Sequence, residues 1–225
     1  METYTINKKT IEVPTSWVEC NFDRFLKFAN LLDAMNIKED NPQTKTKTEV
    51  EEWAATLQDL KDNTKILSFW CGEPESEISL LDLDVANDIM TSLGFLNDAY
   101  IPITIDSFTI GDEKFILPEN LMKNSSFGRY IEAEQLELQS NILDKGGMEV
   151  LPRQIAILCK KEGEDEKLDD DLIDKRAKQF EKLDMATIWD VGFFLNKLEQ
   201  KLMINFLISQ EKGEMPRPEL QQEEQ

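Results

Sequence analysis

Carboxylates are the chemistry this chain holds in quantity: 45 Asp and Glu stand against 25 Lys and Arg, with no histidine at all. Their densest run, Glu162-Gly-Glu-Asp-Glu-Lys-Leu-Asp-Asp-Asp171, invites a calcium reading, because hard cations take oxygen ligands. It lacks the alternating ligands, the central glycine and the closing glutamate of an EF-hand loop. The plainer reading is a solvated loop whose last aspartates open a helix, where the macrodipole favours negative charge. Without histidine, the commonest acid–base catalyst near neutral pH and the commonest metal ligand are both missing. Cys20, Cys71 and Cys159 are scattered and odd in number, which suits reduced core thiols better than a disulfide framework or a Cys-x-x-Cys zinc site. Neither glycine pattern that cradles phosphates occurs. A carboxylate-only mechanism needs a placed pair of acids, and in a chain this acidic such pairs arise by accident. The expectation is a protein that is not an enzyme and uses no metal and no cofactor.

The formal net charge is −20, and it is shared evenly: residues 1–104 hold 19 acids and 9 bases, residues 105–225 hold 26 and 16. A field of this sign repels phosphate backbones, so no direct nucleic-acid partner is expected, and it attracts basic protein segments. An acidic DNA mimic is a third class, but charged residues of mixed sign dilute the regular negative surface such mimicry needs. Hydrophobic residues make up 40% of the chain, with twelve Phe and four Trp, enough to bury a core. No run approaches the roughly 18 apolar residues of a membrane span, and the N-terminus lacks a basic-then-apolar leader. A soluble intracellular protein with no membrane partner is therefore expected.

The elements that must position these residues can be read along the chain. Tyr4-Thr-Ile and Thr10-Ile-Glu-Val around Asn7-Lys8-Lys9 predict a β-hairpin closed by Pro14. Asn21 is placed to cap a helix carrying Phe22, Phe25, Leu26, Ala29, Leu32 and Met35 at helical spacing. Lys38–Lys47 reads as a polar loop, and Thr48 with Glu51 as a capping box before a helix through Leu60. Thr64–Trp70 is a separate short apolar run ended by Cys71-Gly-Glu-Pro74, and Val85, Ile89 and Leu93 mark another helix. A second hairpin is expected at Ser107–Leu117, turning at Gly111-Asp112. Helices follow from Ser125 or Ser126 to about Leu138, then at about 148–160, 168–183 and 185–209. The fold class expected is mainly α with small β-hairpins (α+β).

The order of these elements repeats. Tyr4-Thr-Ile, Pro14 and Phe22-Asp-Arg-Phe25 correspond to Phe108-Thr-Ile, Pro118 and Phe127-Gly-Arg-Tyr130. Ile66–Trp70 running into Gly72-Glu73 corresponds to Ile155–Cys159 running into Gly163-Glu164, and Leu93-Gly-Phe-Leu96 to Val191-Gly-Phe-Phe-Leu195. Pro14 and Pro118 lie 104 residues apart, and Gly94 and Gly192 lie 98 apart. Similar offsets in unchanged order point to an internal duplication: one lobe at 1–100, a related lobe at 101–209, and an acidic, Pro-containing tail or arm at 210–225. Most aromatics at helical spacing read as core, with Phe22 and Phe127 buried in their lobes. Trp70, Trp189 and Phe193 are the candidates for partner contact, since large aromatic rings suit both packing and recognition.

Pro14…Phe22-Asp-Arg-Phe25, Ile66–Gly72, Leu117-Pro118…Phe127-Gly-Arg-Tyr-Ile-Glu132, Leu158–Glu164 and Met185–Leu195 together resemble duplicated structural or assembly proteins of tailed bacteriophages of Bacteroidetes, including crAss-like phages, which are similar to tail assembly chaperones. The likeness covers about residues 4–200, and departs from that pattern at Asp23, where the first repeat would carry glycine, and in a polar insertion around 39–48. The resemblance implies a non-enzymatic protein that binds other phage structural proteins, at a basic or apolar segment of theirs, as part of an oligomer or larger assembly. It implies either a virion subunit of capsid, connector or tail, or a chaperone that holds the tape-measure protein and is absent from the mature particle. It places the protein in the virion or in the cytoplasm of the infected host.

Overall fold

The computed structural model describes residues 1–35, 49–118, 126–142, 147–163 and 169–211; the side chains at 49–55, 126–127, 141–142, 199, 202–203 and 205–211 lie outside that description. The described chain is mainly helical with two small antiparallel sheets, an α+β fold. It divides into two compact units, Met1–Ile101 with Glu181–Ala186, and Pro102–Phe180 with Thr187–Gln225. The sequence places 181–186 in the second lobe; the structure gives this short segment to the first unit.

Unit 1 opens with β1 (Glu2–Ile6) and β2 (Lys9–Val13), paired so that Ile6 faces Lys9 across a two-residue turn. Asn7 and Lys8 both have positive φ, 50° and 66°. That is the primed turn whose twist matches the flanking strands, and it moves Lys9 out of the expected turn into β2. Alternation puts Ile6, Ile11 and Val13 on the buried face. Lys9 shares this side, and its Nζ reaches the buried carboxylate of Glu73 at 2.8 Å.

Helix α1 (Phe22–Ala34) has every early donor accounted for. Asn21 Oδ1 accepts from the Arg24 N–H at 2.8 Å, the cap that the sequence suggests. The Phe22 N–H donates to the Leu183 carbonyl at 2.8 Å and the Asp23 N–H to that of Glu181 at 3.1 Å. In return the Met185 N–H donates to the Cys20 carbonyl at 2.8 Å. A helix start leaves orphan donors that must find partners, and here a segment from far along the chain supplies them. Leu183 and Met185 are buried with it.

Helix α2 (Glu49–Cys71) corrects the sequence reading, which separates a helix ending near Leu60 from an apolar run at 64–70. Lys61-Asp-Asn-Thr64 interrupts the apolar period but contains no Gly or Pro, so nothing breaks the backbone ladder, and the Thr64 hydroxyl folds back on the Leu60 carbonyl at 2.9 Å. Gly72, at φ +67°, ends the helix in the left-handed conformation common after a last turn. Phe28, Phe69 and Trp70 meet with ring centroids 5.1–5.6 Å apart, forming the centre of unit 1. Phe22 is buried there as expected. The short α3 (Glu75–Ile78) and α4 (Leu83–Ser92) follow, and Gly94 lies in a 3-10 turn, Leu93–Asn97.

Unit 2 begins with β3 (Ser107–Ile110) and β4 (Glu113–Ile116), again with a two-residue turn, Gly111 taking φ +59°. A third strand that the sequence does not reveal, β5 (Lys160–Lys161), pairs with Phe115 and Ile116 of β4. Phe108, Phe115 and Phe180 pack with centroids 4.8–5.5 Å apart. Helix α5 spans Ser126–Ile142. After a 3-10 turn, α6 (Leu151–Leu158) is buried nearly all round, as a central helix must be, between α5 and α7 (Asp170–Phe180). Asp169 caps α7 through the Leu172 N–H at 2.9 Å, so the acidic run does open a helix. Helix α8 (Met185–Glu211) buries Ile188 and Val191 and takes in the first two residues of the expected tail. The loop at 38–47, the cap Thr48, the side chain of Phe127 and the rest of the tail lie outside the described residues.

Candidate functional site

Unit 1 has a cleft of about 750 Å3 where β1 and Thr15 face α4 and the 3-10 turn. Glu2 and Tyr4 enter from the strand, Asp88, Thr91 and Ser92 from α4, and Gly94, Phe95 and Asp98 from the turn. Hydroxyls organise one wall. Tyr4 Oη lies 2.6 Å from Glu2 Oε2, 2.7 Å from Ser92 Oγ and 3.2 Å from the Asp88 carbonyl. The Ser92 hydroxyl donates to the same Glu2 oxygen at 2.6 Å. Hydrogen bonds from Ser92 and then Tyr4 hold the Glu2 carboxyl below its ordinary value, while burial and then Glu2 push the Tyr4 phenol up. The two groups are driven apart from neutrality rather than toward it, the reverse of a general acid–base pair. Three carboxylates line the cleft, and none of its described lining residues is basic. Such a surface suits an ammonium or guanidinium group better than an anion.

Unit 2 has a smaller groove, about 160 Å3, among α5, α6 and α8. Ala133 and Gly192 leave the space, and Glu134, Glu137, Leu151 and Leu195 line it. Gln154, nearly buried, spans it by donating to the Ala133 carbonyl at 3.1 Å and to Glu137 Oε2 at 3.3 Å.

The residues singled out for partner contact are dispersed. Trp70 is 0% exposed in unit 1, with the Arg24 guanidinium 4.7 Å from its ring centroid and donating to its carbonyl. A side chain wholly inside the core has no surface to offer, so Trp70 is corrected from contact residue to core residue. Its Nε1 is buried and finds no acceptor among the described residues; the same is true of Trp189. Trp189 and Phe193 lie one turn apart on α8 in unit 2. Trp189 is half-buried, whereas Phe193 is 36% exposed with the Lys197 ammonium 4.3 Å over its ring.

The cleft of unit 1 is what sequence reasoning misses. Glu2 and Ser92 are 90 residues apart, and a lone serine late in a helix carries no signal of its own. The three cysteines are free and buried, and burial raises Cys20 and Cys71 to about 11 and Cys159 to about 12. Among the described residues no group of three or more Cys, Asp or Glu is arranged to hold a metal ion, and no helix is long and apolar enough to cross a membrane. No protein-family model, curated protein or solved structure matches the chain.

Proposed function

We propose that this chain is a non-enzymatic structural or assembly protein of a tailed bacteriophage, a virion subunit of capsid, connector or tail that binds other phage proteins. The observation that carries the binding role is the unit 1 cleft: carboxylates and hydroxyls, no basic lining residue among those described, on a chain of net charge −20. A lysine- or arginine-bearing segment of a neighbouring protein fits that chemistry, and the long-range field speeds its capture. The phage setting rests on the resemblance of the Pro14–Phe25 and Pro118–Tyr130 stretches and of the later motifs. The internal duplication belongs to this proposal, supported by the repeated motifs and by both units opening on a hairpin with a two-residue turn.

Quantitative mass spectrometry of purified particles from a phage carrying this gene tests the reading. A stoichiometric signal is expected, and Asp88→Lys, an exposed charge reversal in the cleft, should lower incorporation while leaving the circular dichroism spectrum unchanged. Abundance in lysate with absence from particles would replace the virion subunit by the tail assembly chaperone. Binding to a DNA-processing enzyme in competition with DNA would replace both by the mimic.

A further inference from the structure

We infer that the groove of unit 2 is a receptor for one lysine side chain of a partner protein. Its wall carries an unused acceptor. Gln154 lines the groove and is only 8% exposed. Both partners of its Nε2, the Ala133 carbonyl and Glu137 Oε2, are acceptors, so the amide can be turned only one way. Its Oε1 accepts no hydrogen bond among the described residues, and it is not sealed from solvent as the two indole nitrogens are. A carbonyl oxygen in such a recess is satisfied by a ligand that brings a donor. Gly192 gives a second sign. It lies inside α8, where glycine costs stability relative to alanine. Its φ is not positive, and a Cβ there would meet no atom within 4 Å, so neither backbone conformation nor crowding asks for glycine. What the missing side chain leaves is the groove.

The lining identifies the ligand. Leu151, Leu158 and Leu195 give the groove an apolar wall, Glu134 and Glu137 give it carboxylates, and none of its described lining residues is basic. An aliphatic stem that ends in a cation matches both parts. Lysine is that side chain, a flexible stem carrying a compact ammonium with several donors. One ammonium can meet Gln154 Oε1 and Glu137 together, since the amide that carries the first already touches the second. Size limits the occupant: the groove holds about 160 Å3, close to the roughly 150 Å3 that takes a single small ring and well below the roughly 300–1,000 Å3 of sites for whole small molecules. The net charge of −20 draws a lysine toward the chain, and the groove then reads it.

The inference depends neither on the phage reading nor on the unit 1 cleft, and a residue-resolved readout keeps the two sites apart. The experiment is an NMR titration of the full chain with lysine capped at both ends, Nα-acetyl-lysine N-methylamide. Saturable shifts are expected at the Gln154 side-chain amide. Binding should be about tenfold weaker or worse for the norleucine analogue, which keeps the stem without the ammonium, and for methylammonium, which keeps the charge without the stem. Gly192→Leu should fill the groove and weaken lysine binding about tenfold or more, while the melting temperature stays level or rises, because a strong helix former replaces a glycine. Glu137→Gln, at an exposed position, should weaken binding several-fold with the fold intact. Shifts confined to Ser92 and Gly94 would give the lysine to the unit 1 cleft and overturn the proposal. So would a norleucine analogue bound as tightly as lysine, or a folded Gly192→Leu or Glu137→Gln chain that binds like wild type.

Discussion

At the scale of single residues, the fold keeps one local strain and three guarded thiols. Lys8 occupies the second central position of a primed turn with φ 66°, a conformation that costs a side-chain-bearing L-residue roughly 1–2 kcal/mol. Lys8→Gly creates the Asn-Gly turn that hairpins favour, and urea unfolding should show a gain of about 1 kcal/mol, reduced somewhat by the extra entropy of glycine in the unfolded chain. The thiols act in the opposite pH range from most charged groups. Their folded values lie above the usual 9, at about 11 for Cys20 and Cys71 and about 12 for Cys159. A raised acid keeps its proton in the folded state while the unfolded chain ionises, so their contribution is whole below pH 9 and is lost as pH rises toward 11–12. Cys159→Ala should flatten the alkaline limb of a stability-against-pH curve relative to wild type. An unchanged limb would mean that the thiol is reached by solvent.

At the scale of elements, the start of α1 shows what a sequence can and cannot say. Asn21 is legible, because a capping side chain is a residue type at a fixed offset from a helix; Asn21→Ala should cost about 1 kcal/mol in denaturant unfolding. The Leu183 and Glu181 carbonyls that satisfy the next donors are not legible, since every residue has a carbonyl and none announces its partner. The same contrast runs through the fold. Both hairpins were readable from alternation and turn residues, and α8 from its length of apolar period, whereas β5 was not, because Lys160-Lys161 has no strand signal and is held by β4 alone. The join within α2 was hidden by a lapse in periodicity that does not break a backbone. The cleft was hidden for a related reason: its walls are ordinary acids and hydroxyls whose meaning lies only in their meeting.

At the scale of the whole molecule, charge is the dominant quantity. A chain at −20 repels itself when compact, and salt relieves that repulsion. The melting temperature should therefore rise by a few degrees between about 10 and 300 mM salt. A fall over that range would mean that local ion pairs such as Lys9–Glu73 outweigh the general repulsion. The passage of Glu181–Ala186 into the first unit has a bearing on how the protein is made. A ribosome adds about 5–20 residues per second, so the nascent N-terminal half waits on the order of 4–16 s, with the Phe22 and Asp23 donors of its first helix unmatched, before the segment that accepts from them emerges. The first half to be synthesised thus stays incomplete until most of the second has been made, and for those seconds it is the part of the nascent chain most in need of a protective hand.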